Sequence, residues 1–342
     1  MNKIICKPCF ALEALASVVF CNYCRSDISG VKEWIDKTYS DIYIGPSNAF
    51  FDLLIEHHSL EEIESMSIAD LIEVYPNYLQ KNDWTDQYAD DVIKGLQQLE
   101  TSDFELLWEN TLLPVLNEQC SDFLNACDDK KVDGILSDLG TIHGKPIEDD
   151  IVVYMTHFTR RVSFLLTPTC YLTNGSIGEK FDIGGTLGLF AHELSHHFSK
   201  SNSINAYKRL CECSDYLKRS WYFLSNVVGE TSYEEEFVMA IEGIISLRQK
   251  LKSNEEILHH LTTKYNNSIP IAIILFSRLA ELDDLPKDIN QWLCTTLTKD
   301  IEVDGIEEMV NGIAPGYTDK FDERWREEKM KNPDRFIGYE EI

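Results

Sequence analysis

Two histidines and a glutamate stand at metal-binding spacing in residues 185–199, GTLGLFAHELSHHFS. His192 and His196 are four residues apart, so on a helix they lie one turn apart on the same face, where both imidazoles can reach one metal ion. Glu193 lies beside that face and can take a proton from a water molecule bound to the metal. The spacing therefore predicts a hydrolytic metal site with Glu193 as its general base.

The residues around this motif predict the helix that positions it. Asp182, Gly184 and Gly185 are typical of a loop and a helix start. His197 points about 100° away from His196 on a helix, so we expect it to support the site or lie at the surface. Apolar residues recur at intervals of three and four, as on one buried stripe: Leu187, Phe190, Ala191, Leu194 and Phe198.

A catalytic zinc ion needs three protein ligands and an open position for water. Three consecutive glutamates follow Tyr233. Glu234 and Glu235 suit capping positions at the start of a helix, whereas Glu236 is least needed for capping and is followed one turn later by the small Ala240. We favour Glu236 as the third ligand and keep Glu235 as the alternative. The competing sources are Cys170, His157 and His143.

The motif and the later glutamate helix together resemble the gluzincin group of zinc metallopeptidases. In that group two histidines of the first helix and a glutamate of a later helix hold zinc, and the glutamate inside the motif is the general base. The resemblance implies Zn²⁺ on His192, His196 and Glu236, with Glu193 as the base. Some gluzincins carry an acidic residue four positions after the ligand glutamate, which orients a zinc histidine. Ala240 stands there in this chain, so the orienting group must come from elsewhere.

Hydrophobic patterns predict a predominantly α-helical α+β fold. Residues 151–157 and 161–173 are rich in β-branched residues and favour strands, with Pro168 marking an edge or a break. We expect a small sheet of two to four strands packed beside the motif helix, in a zincin-like arrangement. Residues 1–145 form a helical N-terminal region in this interpretation. Residues 146–342 form a zincin-like metallopeptidase domain with a helical C-terminal part.

Shorter signals predict individual helix boundaries. Ser59 and Glu62 form a capping-box pattern, and Pro76 predicts the end of a helix that begins near residue 67. Residues 205–228 are compatible with one continuous helix. The charged tail at residues 319–342 is expected to be solvated or to lie on the surface.

The composition limits the possible partners. Of 342 residues, 44% are hydrophobic, which is enough for a substantial core, and the net charge is −27. Such an acidic chain is unsuited to nucleic acid or to anionic membranes, and it is compatible with basic peptides. No apolar run reaches the length of a membrane span. Residues 10–23 are apolar, but Pro8 and Glu13 interrupt the pattern of a signal peptide, so we expect an ordinary helix and a cytoplasmic location.

Four of the ten cysteines form two pairs with the spacing of a zinc ribbon: Cys6, Cys9, Cys21 and Cys24. The residues between the pairs favour a helix, whereas a ribbon has turns and strands there. We therefore expect free thiols in a reducing compartment.

The sequence as a whole predicts a zinc-dependent metallopeptidase that hydrolyses a peptide or protein substrate. The alternatives are a helical binding or regulatory protein with a non-catalytic metal site, and a zinc hydrolase that acts on a non-peptide substrate. Hydrolysis also needs a donor that stabilises the oxyanion, for which Tyr233, Tyr317 and His157 are candidates.

Overall fold

The computed structural model describes residues 4–22, 28–44, 48–81, 87–127, 129–144, 146–158, 163–174, 183–196, 201–230, 232–337 and 339. The chain divides into two compact units that alternate along the sequence. The first unit comprises residues 1–128 and 148–182, and the second comprises residues 129–147 and 183–342. Helices predominate and there is one small sheet, which confirms the predicted helix-rich α+β class.

The first unit contains the sheet, and its eight described α-helices lie between the first and second strands in sequence. Its helices are α1 (Phe10–Val19), α2 (Val31–Thr38), α3 (Ala49–His57), α4 (Leu60–Ser65), α5 (Ile68–Lys81), α6 (Gln87–Glu100), α7 (Phe104–Leu107) and α8 (Leu113–Ala126). Its strands are β1 (Ile4–Pro8), β2 (Ile151–Thr156), β3 (Phe164–Thr167) and β4 (Cys170–Asn174).

The sheet is mixed and has the strand order β1-β2-β4-β3. Strands β1, β2 and β4 run parallel, and β3 pairs antiparallel with β4 at the edge. The predicted break at Pro168 is confirmed, because β3 ends at Thr167 and β4 begins at Cys170. Pro168 lacks the N–H that a strand ladder needs, so the chain turns there. Strand β1 was not predicted, since its five residues are too short to show a period.

Two predicted boundaries of the first unit have different outcomes. The capping box is confirmed: Ser59 accepts a hydrogen bond from the backbone N–H of Glu62, and the Glu62 side chain accepts one from the Ser59 backbone. The predicted helix end at Pro76 is wrong, because α5 continues through it to Lys81. Buried Leu71 and Tyr75 anchor this helix, and their packing outweighs the hydrogen bond that proline removes.

The second unit is helical over its described residues and contains the motif helix. Its helices are α9 (Asp129–His143), α10 (Ile183–Ser195), α11 (Ser201–Cys213), α12 (Asp215–Phe223), α13 (Glu235–Arg248), α14 (Asn254–Thr263), α15 (Pro270–Ala280), α16 (Ile289–Thr295), α17 (Ile306–Ile313) and α18 (Tyr317–Lys331).

Helix α13 is the centre of the second unit. Residues 235–246 are buried all around the helix, which packs against α10 on one side and α15 on another. A helix enclosed in this way must be apolar on every face, apart from polar groups that find partners. Gly243 permits the close approach, because a Cβ atom there would come within 3.0 Å of Phe276 and Ile257.

One helical prediction for the second unit is wrong. The segment predicted as one helix breaks between α11 and α12, where the Ser214 hydroxyl accepts a hydrogen bond from the backbone N–H of Leu217. Serine competes with the helix for backbone hydrogen bonds and so begins a new one. The charged tail includes α18, which is exposed along much of its length and buries Phe321 and Trp325, in agreement with the prediction of a segment that lies on the surface.

Two further sequence predictions bear on the chain as a whole. None of the helices in the described ranges is long and apolar enough to cross a membrane. The nine described cysteines are free thiols, and Cys24 lies outside the described residues.

Candidate metal centre

The motif helix brings its two histidines together as the spacing predicts. Helix α10 covers Ile183–Ser195, and His196 follows it directly. The Nε2 atoms of His192 and His196 lie 3.2 Å apart, and the ring centroids are 4.9 Å apart. Buried Leu187, Phe190 and Leu194 anchor the helix, so the imidazoles are held on a fixed face. Asp182 and His197 lie outside the described residues.

A carboxylate from α13 completes the group. Glu235 Oε1 lies 3.8 Å from His192 Nε2, and Glu235 Oε2 lies 3.7 Å from His196 Nε2. The three ligand atoms fall within 4.8 Å of one another, so this group could hold a metal ion. His192 and Glu235 are buried, whereas the side chain of His196 is 20% exposed, so solvent reaches the group from the His196 side.

Each histidine is oriented through its other ring nitrogen. His192 Nδ1 lies 3.2 Å from Glu242 Oε2, and His196 Nδ1 lies 3.2 Å from Glu234 Oε1. An ionised carboxylate can only accept, so each Nδ1 must donate, which leaves a lone pair on each Nε2 of a neutral ring. Ala240 cannot orient a histidine, so we expected the orienting group at another position. Glu242 and Glu234 are the groups that orient the two histidines.

This arrangement suits a cation between the two Nε2 atoms. Two lone pairs that face each other at 3.2 Å repel, unless a proton or a metal ion lies between them. Zinc–nitrogen bonds of about 2.0–2.1 Å in a tetrahedral site place two nitrogens about 3.3 Å apart. The separation of His192 and His196 matches this value.

The third-ligand assignment changes from Glu236 to its alternative, Glu235. Glu236 is fully enclosed on another side of α13, where its carboxylate accepts hydrogen bonds from the Tyr207 hydroxyl and from the backbone N–H of Ala272. Neighbouring helical residues point about 100° apart, so only one of the two glutamates can face α10. The argument from helix capping did not identify the ligand. Glu234 caps the helix with its backbone, and its side chain contacts His196 instead.

The competing ligand sources do not join the group over the described residues. Cys170 lies on β4 and His157 follows β2, both in the first unit. His143 ends α9.

Glu193 has the properties that a general base needs. It is 2% exposed, and its Oε2 atom has no hydrogen-bond partner among the described residues. Burial raises the pKa of this carboxyl above its usual value, although the nearby His192 and His196 oppose the shift. A buried carboxylate oxygen without a partner is costly, and a water molecule held in front of it would satisfy it.

The surroundings favour positive charge at His196. Burial lowers the pKa of His196, but the hydrogen bond to Glu234 and the charge of Glu235 more than offset this and raise it to about 8. Burial also acts to raise the pKa of Glu235, yet His192 and Lys264 bring it below the usual value. Glu235 therefore stays ionised, as a metal ligand must.

A glycine one turn before His192 makes room for the orienting pair. Lys252 donates a hydrogen bond to Glu242 over 3.2 Å. A Cβ atom on Gly188 would lie 3.2 Å from Glu242 Oε1 and 3.3 Å from Lys252 Nζ. The absence of a side chain at residue 188 therefore lets helix α10 approach this ion pair without displacing it.

The tyrosines considered as oxyanion donors are used elsewhere. The Tyr317 hydroxyl accepts a hydrogen bond from the backbone N–H of Ile269. Tyr233 stacks on Trp221 with ring centroids 3.8 Å apart, in the wall of a cavity of about 810 Å³. The tyrosine that contacts the group is Tyr265, whose hydroxyl donates to Glu235 Oε1 over 2.6 Å.

Sequence reasoning missed Tyr265 and Glu242. For Glu242 a signal exists, because it lies seven residues after Glu235 and so shares its face of α13. For Tyr265 the sequence holds no comparable signal, since its contact with Glu235 joins residues 30 positions apart.

In comparisons with known proteins, no protein-family model, no curated protein and no solved structure matches this chain.

Proposed function

We propose that this chain is a zinc-dependent metallopeptidase that hydrolyses peptide bonds. The observation that carries the proposal is the group of His192, His196 and Glu235 with the buried Glu193 beside it, whose Oε2 atom has no hydrogen-bond partner among the residues that the structure describes. A purely structural site has no use for a base next to its ligands, whereas a hydrolytic site needs one. The zincin-like type of fold that the sequence predicts is part of this proposal.

The chemistry divides between the ion and the protein. A bound zinc ion would lower the pKa of a water molecule and polarise the peptide carbonyl. Glu193 takes a proton from the attacking water, whose oxygen bonds to the carbonyl carbon. Glu193 then returns that proton to the amide nitrogen as the C–N bond breaks, which gives one carboxylic acid and one amine. Glu242 and Glu234 keep both Nδ1 atoms protonated, so both Nε2 lone pairs stay directed at the ion.

Replacing Glu193 by Gln tests the assigned base. Glu193→Gln should keep about one zinc per chain and lose about 10²–10⁴-fold in hydrolysis rate, because the amide cannot accept the proton of water. Zinc is measured by mass spectrometry of the purified full chain, and hydrolysis is measured with a broad peptide library. The matched control is Glu255→Gln, which changes the same charge at an exposed position of α14 and should leave both quantities unchanged.

The same experiment separates the alternatives. Zinc bound without cleavage of any library peptide would favour a non-catalytic site or a non-peptide substrate. Full activity of Glu193→Gln would exclude Glu193 as the base. A chain purified without metal, and unable to take up added zinc, would remove the basis of the whole proposal.

A further inference from the structure

We infer that Tyr265 is a positioning residue that holds one oxygen of Glu235, so that only the other oxygen is free to bind the metal. The inference depends on the metal site of the proposed function and does not require that the substrate be a peptide.

The two oxygens of Glu235 have different surroundings. Oε1 accepts the Tyr265 hydroxyl proton over 2.6 Å and lies 3.9 Å from Lys264 Nζ. Both oxygens face the histidines, with Oε1 3.8 Å from His192 Nε2 and Oε2 3.7 Å from His196 Nε2, so the two oxygens differ in the hydroxyl and the cation at Oε1. A carboxylate whose first oxygen is held by a hydroxyl and a cation offers its second oxygen to a metal ion. The ion then keeps a position free for water, as a catalytic site requires.

The backbone that carries Tyr265 is unusual. Tyr265, Asn266 and Asn267 have φ angles of 56°, 55° and 63°, three consecutive residues in the left-handed region without a glycine. Residues other than glycine adopt this conformation singly, in turns, and a run of three is strained. Strained backbone of this kind persists where the surrounding structure requires it, and it concentrates at functional sites.

The neighbouring contacts show what this turn achieves. It lies between α14 and α15, and both Tyr265 and Lys264 contact α13 from it. Lys264 Nζ lies 3.2 Å from Met239 Sδ and 4.9 Å from the centre of the Tyr265 ring. The lysine thus lies against both the tyrosine and α13, where it adds positive charge next to Glu235.

Removal of the hydroxyl in Tyr265→Phe tests the inference. Zinc affinity should fall by about 10–100-fold, the usual effect of losing a group that orients a metal ligand. Affinity is measured on the full chain by competition with a chromophoric chelator, so the result does not depend on activity. The visible absorption spectrum of the Co²⁺-loaded protein should also change, because the freed Oε1 can then approach the ion.

Tyr207→Phe is the matched control. It removes a buried hydrogen bond of the same kind, from a tyrosine to the adjacent glutamate of the same helix, Glu236. Both variants should lose stability when unfolded in a chelator, but only Tyr265→Phe should lose zinc affinity and alter the Co²⁺ spectrum. Asn266→Gly relaxes the left-handed backbone while keeping the hydroxyl, and it should retain the affinity of the unchanged chain.

The inference is overturned if Tyr265→Phe binds zinc as tightly as the unchanged chain, or if Tyr207→Phe weakens binding equally. Its failure is distinguishable from failure of the proposed function. A chain that binds zinc, and loses affinity in Tyr265→Phe as expected, yet hydrolyses no peptide would contradict the function alone.

Discussion

At the residue scale, the buried glutamates are the groups whose burial costs the most free energy. Glu235, Glu236 and Glu242 are buried residues of helix α13. A buried carboxylate without partners would destabilise the fold by several kcal/mol. Each has a solution of its own: Glu235 faces the histidines and Tyr265, Glu242 faces His192 and Lys252, and Glu236 takes two hydrogen bonds. Burial raises the pKa of Glu236 to about 7, so this carboxyl is suited to a structural role and not to metal binding.

The adjacent glutamates provide a sharp test of the ligand assignment. Glu235→Gln should weaken zinc binding by more than about 100-fold, since losing a ligand costs more than losing a group that orients one. Glu236→Gln should leave zinc affinity unchanged and lower the free energy of unfolding by about 1–3 kcal/mol, because a buried hydrogen-bond network is disturbed. Isothermal titration with zinc and urea unfolding measure the two effects. Loss of zinc by the Glu236 variant would restore the original assignment.

At the scale of elements, the motif helix α10 positions the histidines. The rotation of α13 about its axis determines which of its glutamates faces them. Glu235 and Glu242 are seven residues apart and lie on one face of α13, directed at α10. Gly188 on α10 allows the helices to approach at this point. The site thus depends on how α10 and α13 pack, in addition to the local motif.

In the first unit, helix α1 carries the buried acid Glu13, which should make the stability of the fold depend on pH. Glu13 is fully buried, and its two oxygens accept from the backbone N–H of His157 at 3.0 and 2.9 Å. Burial raises the pKa of Glu13 to about 8, although these hydrogen bonds oppose the shift. The protonated form is therefore favoured in the fold. The stability that this provides is full below the usual glutamate pKa and is lost as the pH rises towards 8.

Glu13→Gln should remove this pH dependence. Between pH 5 and 8 the free energy of unfolding should fall less steeply in the variant than in the unchanged chain, by about 1.4 kcal/mol per pH unit. The amide cannot ionise, and its oxygen can still accept from the His157 backbone. Urea unfolding at several pH values measures both slopes, and Glu255→Gln at the surface is the control. Equal slopes in the Glu13 variant and the unchanged chain would show that Glu13 is ionised in the fold.

At the scale of the whole molecule, the metal site lies entirely in the second unit. Both α10 and α13 belong to it, and so does the turn that carries Tyr265. The overall charge of −27 also favours the uptake of cations. A ligand that binds only the folded second unit must stabilise that unit by mass action.

Zinc should therefore slow amide exchange in the second unit. At 100 times the dissociation constant the stabilisation is about 2.7 kcal/mol, which corresponds to about 100-fold slower exchange where opening breaks the site. Peptides from α10 and α13 should show this effect, and peptides from β1 and β2 of the first unit should show much less. Hydrogen exchange with mass spectrometry measures it, and Glu235→Gln with zinc is the control. Equal protection of both units would mean that they open together.

The sequence alone determined the features that depend on local order along the chain. The four-residue spacing of the histidines, the helix that carries them, the capping box at Ser59 and the turn at Pro168 involve neighbours within a few residues. Tertiary structure decided which glutamate completes the metal group, and which residues orient the histidines and Glu235. These choices depend on the rotation of α13 about its axis and on a turn that brings Tyr265 against a residue 30 positions away. The rotation and the turn are set by tertiary packing, which involves α10 and α15. Helix periodicity in the sequence identifies a buried face, but it does not identify the neighbouring element that this face contacts.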